Sequence, residues 1–206
     1  MSVKQKIIKK IVAASVSATL AFAPMAGNAC TSFLLKGNDG GYVYGRTLEF
    51  GMPLASQLTT IPRGYALKGI GADGKYGSGL NWNTKYAVAG MNALGLAEYV
   101  DGMNEKGLIG GLLNFPNSAG FQAVTAANSS ESINSVQVLT YVLTNFATVD
   151  EIKAGLQKIK VNGAKLAVYG NRTPPVHYTF HDANGKSIVV AVSYTHLRAH
   201  ETVLDL

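Results

Sequence analysis

The sequence predicts an α+β fold, in which an antiparallel sheet carries helices on its faces. Strand-like runs flank strong turn signals at Asn38-Asp39-Gly40-Gly41 and at Asn184-Gly185, and such signals are typical of hairpins. Between an N-terminal and a C-terminal block of strand-like runs, residues 133–159 have the apolar spacing of two helices. Strands, helices and again strands favour a sheet with helices packed against it.

The elements are predicted in chain order from their local patterns. Strands are expected in TSFLLKG (31–37), GYVYGRT (41–47), QLTTIP (57–62), KYAVAG (85–90), LAEYV (96–100) and GLIGGLL (107–113), and a polar loop in 117–131. A first helix is expected over Ile133 to Phe146, and a capping box at 148–151 starts a second. Further strands are expected in KLAVYG (165–170), VHYTFHD (176–182) and SIVVAV (187–192).

Residues 1–29 have the pattern of a secretory signal peptide. A basic run is followed by IVAASVSATLAFA, which is too short to span a bilayer, and then by the small residues Gly27-Asn28-Ala29. We therefore expect an exported protein, periplasmic or secreted, with no stable membrane span. Four of the positive charges behind the net charge of +6 lie in this segment. The remainder is close to neutral and lacks a basic patch with interleaved aromatics, so nucleic acid is not an expected partner.

Cys30 is the single cysteine, and it directly follows the expected cut. One interpretation makes it a buried small hydrophobe, the usual state of a free cysteine. A second makes it the lipid anchor of an exported lipoprotein or binding module, although such sites usually have Leu where Gly27 stands. A third makes it the first residue of a mature enzyme, in which one residue carries both a thiol and an α-amino group. The α-amino pKa of about 7.7–8.0 suits that group to accept the thiol proton.

The C-terminal residues 192–206 break the strand alternation. His196 and His200 have the i, i+4 spacing of metal ligands. However, VSYTHLRAHET resembles the translation of a sequencing adapter, and we therefore expect neither a metal site nor a cofactor. Residues 192–206 are predicted to be non-native, and residues 30–191 the N-terminal part of one domain that continues in the genome with other residues.

An ordered set of motifs resembles the choloylglycine hydrolase family, which includes bile-salt hydrolases and penicillin V acylases. The motifs are Cys30-Thr31-Ser32-Phe33, Gly45-Arg46-Thr47-Leu48-Glu49, Pro62-Arg63-Gly64, Lys85-Tyr86-Ala87-Val88, DGMNEKGL (101–108), Leu113-Asn114-Phe115-Pro116 and GKSIVV (185–190). The resemblance implies the four-layer αββα sandwich of N-terminal nucleophile hydrolases, here C-terminally truncated. A second oxyanion Asn and a later Arg of the family would lie beyond GKSIVV.

The resemblance also implies the catalytic roles. Cys30 would attack an amide carbonyl, and Arg46 would lower the thiol pKa and help to hold a carboxylate. Glu49 stands where the family more often has Asp, which orients the α-amino group. Asn114 matches the oxyanion-hole position, where its backbone N–H would face the developing negative charge, and the loss of such a donor typically costs about 3–4 kcal/mol of transition-state stabilisation.

The expected activity is hydrolysis of the linear amide of an N-acylated small molecule. A glycine- or taurine-conjugated bile salt is favoured as substrate, because Asn114 is the residue found in bile-salt hydrolases. Penicillin V and N-acyl homoserine lactones stay open, as does a homo-oligomeric state. A papain-type pair of Cys30 with His177 or His181 is not favoured, because the C-G-S-C-W context is absent.

Overall fold

A seven-stranded antiparallel sheet forms the centre of the molecule. The computed structural model describes residues 30–192 and 197–201, the latter by their backbone. In chain order the strands are β1 (Ser32–Lys36), β2 (Tyr42–Arg46), β3 (Leu58–Ile61), β4 (Ala66–Leu67), β5 (Trp82–Asn83), β6 (Val88–Asn92), β7 (Tyr99–Asn104), β8 (Ile109–Asn114), β9 (Ser132–Asn134), β10 (Lys160–Asn162), β11 (Val176–His181), β12 (Ser187–Val192) and β13 (Leu197–Glu201). The helices are α1 (Val138–Asn145) and α2 (Val149–Leu156). The strand order in the large sheet is β13-β12-β11-β8-β7-β6-β3.

The predicted turns form where the residue types require them. Gly40 and Gly185 adopt positive φ values of 82° and 83° between β1 and β2 and between β11 and β12. This left-handed region is costly for residues with a Cβ. Asn104 stabilises the turn from β7 to β8, because its Oδ1 accepts the backbone N–H groups of Lys106 and Leu108. The antiparallel sheet predicted from these turn signals is confirmed.

Helix α1 covers one face of the sheet. The Thr140 hydroxyl accepts the Tyr99 backbone N–H at 3.0 Å, and the Asn104 side chain donates to the Leu143 carbonyl at 2.9 Å. A cluster of fully buried apolar side chains fills the space between the helices and the strands, among them Leu139, Leu143, Ile152, Tyr178, Phe180 and Ile188. Helix and sheet are therefore joined by both apolar packing and satisfied polar groups.

The hairpin β1–β2 lies on the opposite face of the sheet. The hydroxyl groups of Ser32 and Thr179 are hydrogen-bonded at 3.0 Å, and Arg46 Nη1 donates to the Val100 carbonyl at 2.8 Å. The described residues thus stack helix, large sheet and hairpin in three consecutive layers.

Helix α2 begins where the capping signature predicts. The Thr148 side chain accepts the Glu151 backbone N–H at 3.2 Å, and Glu151 Oε2 accepts the Ala147 N–H at 2.8 Å. Asp182 on the β11–β12 turn accepts the Val149 N–H at 3.1 Å. These carboxylates also suit the positive end of the helix dipole.

Two predicted elements are wrong in extent or type. The helix expected from Ile133 begins at Val138, because residues Ser132–Asn134 pair in parallel with Lys160–Asn162 and Asn134 accepts the Val136 N–H at 3.2 Å. The strand expected in 165–170 is a 3-10 turn at Ala167–Tyr169, which ends at the left-handed Gly170. The loop predicted over 117–131 contains a 3-10 segment at Ala126–Glu131.

The far edge of the sheet carries β13, which pairs antiparallel with β12 from Val192 to Ile188. Strand β12 is therefore not an edge strand of the sheet. The non-native origin of residues 192–206 stays a prediction. The expected signal peptide, 1–29, lies outside the described residues. Within residues 30–192 and 197–201, no helix is long and apolar enough to cross a membrane.

Candidate active site

Cys30 lies two residues before the start of β1 and is half-buried. The β1–β2 pairing continues up to it, because the Thr47 N–H donates to the Thr31 carbonyl at 2.9 Å and the Thr31 N–H donates to the Thr47 hydroxyl at 3.1 Å. The Cys30 thiol lies 3.8 Å from the main-chain oxygen of Glu49, a weak contact. The backbone of the hairpin therefore fixes the position of the thiol.

The Cys30 side chain opens onto a mostly apolar cleft. The cleft is open to solvent, and the space along its walls amounts to about 710 Å³ when that solvent is included. Its apolar walls include Leu48, Phe50, Leu94, Leu112, Val168 and Tyr169. The rings of Phe50 and Tyr169 lie 6.2 Å apart and bring the chain after β2 against the 3-10 turn. Asn114, the last residue of β8, also lines this cleft. The structure thus brings two of the predicted residues, Cys30 and Asn114, to one cavity.

Arg46 is held between the hairpin and the sheet, and its side chain is 7% exposed. Its Nη1 donates to the Val100 carbonyl and lies 3.7 Å from Asp101 Oδ2. Its Nη2 is buried and has no hydrogen-bond partner among the described residues. Burial raises the pKa of Asp101, and the positive charge of Arg46 acts against that rise. Arg46 is thus a buried cation with an unused donor, held beside the Asp101 carboxylate, and it is not among the residues that line the cleft.

Gly111 has no side chain, and this leaves room for the side chains of Tyr44 and Arg46 above the sheet. A Cβ at this position would overlap the Tyr44 hydroxyl and lie 3.4 Å from Arg46 Nη1. Burial raises the pKa of Tyr44, with the Arg46 charge acting in the opposite direction. The short side chain on β8 lets the side chains of β2 approach the sheet closely.

The carboxyl group of Glu49 does not enter the cleft lining. The residue is exposed, and its main-chain oxygen is the group that contacts Cys30. The predicted role of the Glu49 carboxylate in orienting the α-amino group stays a prediction.

The two histidines of β11 have partners elsewhere. His181 Nδ1 is 2.7 Å from the Ser187 hydroxyl, and its ring lies 5.4 Å from that of Tyr44. The His177 ring packs edge-on at 4.8 Å against Phe115. Burial lowers the pKa of both histidines. Neither is among the residues that line the cleft, in keeping with the sequence argument against a papain-type pair.

Sequence reasoning missed Asp101 and Glu98. Asp101 stands inside the DGMNEKGL motif, but only the sheet register that places it opposite Gly111 shows its approach to Arg46. Glu98 is the single acidic residue in the apolar run LAEYV, and this was the sequence feature that could have identified it as a candidate site residue. In the part of the chain that is described, no group of three or more His, Cys, Asp or Glu side chains could hold a metal ion.

Comparison with known proteins places the chain in a family. The model of the linear amide C-N hydrolases, choloylglycine hydrolase family, matches residues 30–205. A bile salt hydrolase/transferase of Clostridium perfringens is 31% identical over 163 residues, which is 78% of this chain and 47% of that protein. A penicillin V acylase of Pectobacterium atrosepticum is 29% identical over 192 residues, 90% of this chain and 50% of that protein. The chain thus spans about half the length of the curated relatives it matches.

Solved structures of a conjugated bile acid hydrolase and of a penicillin V acylase share the fold of this chain. A cysteine-to-alanine variant of the conjugated bile acid hydrolase from Clostridium perfringens superposes with a TM-score of 0.68 at 27% identity, over 84% of this chain and 51% of that one. The penicillin V acylase from Agrobacterium tumefaciens gives a TM-score of 0.67 at 23% identity over 82% and 49%, a likeness of fold alone. The predicted N-terminal nucleophile hydrolase fold is confirmed, and the chain belongs to the choloylglycine hydrolase family of linear amide C-N hydrolases.

Proposed function

We propose that the chain carries the nucleophile of an exported amidase, with Cys30 as the first residue of the mature protein. The observation that carries this proposal is that the thiol opens onto an apolar cleft whose wall also contains Asn114. Cleavage of a linear amide needs a nucleophile, an oxyanion donor and space for the acyl group. The residues proposed for the first two roles lie around one cavity, which offers the space.

The mechanism follows from the two functional groups of one residue. Once the bond before Cys30 is cut, its α-amino group takes the thiol proton. The thiolate forms a C–S bond to the amide carbonyl carbon, and the oxygen takes up the negative charge, to which Asn114 donates a hydrogen bond. The C–N bond then breaks as the ammonium group returns its proton to the leaving nitrogen. Water, deprotonated by the same amine, hydrolyses the thioester and restores the thiol.

Arg46 supports the ionised nucleophile in this proposal. A buried guanidinium acts more strongly on a thiolate than an exposed one, because water screens it less. Its Nη2 has no other partner in the described chain. Two solved variants of the Clostridium perfringens enzyme alter a cysteine and an arginine that are separated by the same interval as Cys30 and Arg46. This correspondence supports a shared role for the pair.

Within this reaction class we favour a conjugated bile salt as substrate. A cleft that is open to solvent and has mostly apolar walls suits an apolar acyl group, and a bile salt hydrolase/transferase is among the relatives. Penicillin V is the second candidate, because a penicillin V acylase aligns with 90% of the chain. The two substrates share the scissile linear amide and differ in the acyl group.

The test uses the protein expressed from the complete genomic reading frame. The mass of its mature N-terminus separates a free Cys30 from a diacylglyceryl adduct, which would support a lipoprotein instead. Release of glycine from glycocholate and hydrolysis of penicillin V are then measured side by side. Cys30→Ala is expected to abolish both activities while the fold is kept, as measured by circular dichroism. Turnover by Cys30→Ala at more than a trace would refute the nucleophile assignment.

A further inference from the structure

Glu98 is the one carboxylic acid among the described residues that line the cleft. The residue is 6% exposed and directly precedes β7. Its neighbours in the cleft wall are predominantly apolar, among them Leu94, Leu96 and Val136. A carboxyl group in such a wall costs free energy unless it is hydrogen-bonded. Its presence calls for a partner.

Two neutral donors hold the Glu98 carboxylate. The Tyr76 hydroxyl lies 2.9 Å from each carboxylate oxygen, and Gln137 Nε2 donates to Oε1 at 3.1 Å. Gln137 is itself fixed, because its Oε1 accepts the Ile70 N–H at 2.6 Å and its Nε2 also donates to the Lys68 carbonyl at 3.0 Å. The carboxylate is therefore positioned by a rigid set of contacts.

These contacts leave acceptor capacity unused. A carboxylate offers about four lone-pair sites, whereas Tyr76 has one proton to give and Gln137 shares its amide group with a backbone carbonyl. Both partners donate hydrogen bonds to Glu98. A further group in the cleft would therefore meet the carboxylate as a hydrogen-bond acceptor. Burial raises the pKa of Glu98, and hydrogen bonds from Tyr76 and Gln137, with smaller effects of the backbone of Glu98 and Ala97, act against that rise.

We propose that Glu98 is a specificity-determining residue of the cleft, which selects acyl groups that carry a hydroxyl over acyl groups that carry a ketone or no polar atom. This inference rests on the proposed amidase function, in which the cleft holds the acyl group. A hydroxyl donates to the spare acceptor site of Glu98. A ketone oxygen instead faces a carboxylate that has no proton to donate. An apolar ring displaces water from the carboxylate and offers no hydrogen bond in its place.

The variant Glu98→Gln separates this role from structural anchoring. Its side-chain oxygen can accept from both Tyr76 and Gln137, which leaves the new amide group to donate into the cleft. A ketone then gains a donor, so its disadvantage against the hydroxyl should vanish. The matched control Tyr76→Phe removes one anchor of the same network but keeps the carboxylate. If Glu98 serves only to anchor that network, the two variants should affect all ligands alike.

The experiment measures affinities of free acids, so that it does not depend on turnover. The Cys30→Ala protein from the complete reading frame, with its leader removed, is titrated by calorimetry at mildly alkaline pH. The ligands are cholanic acids with one ring hydroxyl, the matching ring ketones and the unsubstituted acid. For at least one ring position we expect the hydroxy acid to bind about tenfold more tightly than the ketone, the effect of one hydrogen bond to a charged group. Glu98→Gln should reduce this ratio to about twofold or less, and Tyr76→Phe should preserve it.

Equal affinity for hydroxy and oxo acids at every ring position, or equal changes of the ratio in both variants, would overturn the inference. If Glu98→Gln does not fold, the hydroxy-to-oxo ratio of the protein with Glu98 and of Tyr76→Phe still decides. Failure of the proposed function has a different signature. In that case the intact Cys30 protein releases no glycine from the corresponding conjugates, whatever the affinities of the acids.

Discussion

Gly111→Ala tests whether the close approach of the hairpin to the sheet holds the site together. The added Cβ would overlap the Tyr44 hydroxyl, whereas its distance of 3.4 Å to Arg46 Nη1 is an ordinary contact. The backbone of Gly111 cannot easily move away from this overlap, because Gly111 pairs with Asp101 of β7 on one side and with Thr179 of β11 on the other. Overpacking of this kind costs about 1–3 kcal/mol, and we expect the free energy of unfolding to fall by about 2 kcal/mol. Displacement of the Tyr44 side chain should disturb Arg46 beside it and lower kcat/KM on the preferred amide about a hundredfold.

The assay combines urea unfolding with amide turnover in the protein from the complete reading frame. Gly51→Ala is the matched control, because a Cβ there meets nothing within 4 Å; its unfolding free energy should change by less than about 0.5 kcal/mol. Adding Tyr44→Phe to Gly111→Ala removes the overlapping hydroxyl and should recover most of the lost stability. If Gly111→Ala unfolds at the same urea concentration as Gly51→Ala, or if the double variant shows no recovery, the packing argument is refuted.

Three further outcomes are expected. One extra residue left before Cys30 should abolish amidase activity, because the α-amino group of Cys30 becomes an amide that accepts no proton near neutral pH. Removal of the extra residue by a peptidase should restore activity. Full activity in the blocked protein would refute the role of the amine. Asn104→Ala removes the side chain that bridges Leu143, Phe146 and the β7–β8 turn. The free energy of unfolding, measured in urea, should fall by about 3 kcal/mol, and a fall of less than about 1 kcal/mol would contradict this. Arg63 lowers the pKa of Glu105 to about 2. This stabilisation is present above the ordinary Glu pKa and is lost as pH falls toward about 2, so Glu105→Gln should flatten the acid limb of the stability curve, and an unchanged limb would argue against it.

The sequence predicted those parts of the fold that depend on local chemistry. Asn38 to Gly41 and Asn184-Gly185 form turns, and Thr148 caps a helix, because each of these signals acts within a few residues. The run 165–170 was predicted as a strand because it is apolar. Its side chains instead pack in the cleft wall, where Leu166 and Tyr169 serve a cavity and not a sheet. Local composition does not distinguish these two uses of apolar side chains.

The candidate site was predicted only in part for a similar reason. Cys30 and Asn114 could be singled out by position and by motif, and the structure places both at one cleft. The network of Glu98 with Tyr76 and Gln137 joins residues 22 and 39 positions apart. No periodicity links such residues, and only the folded chain brings them together.

The hydrogen bond between Ser32 and Thr179 spans 147 residues of chain. At a synthesis rate of about 5–20 residues per second, Thr179 is made roughly 7–30 seconds after Ser32. The hairpin that carries the proposed nucleophile cannot dock on the sheet before β11 is present, although it is made before every other element that the structure describes. Contacts of such long range also slow folding, since a large loop closes before they form. Docking of the nucleophile is thus expected to be a late event in the folding of this protein.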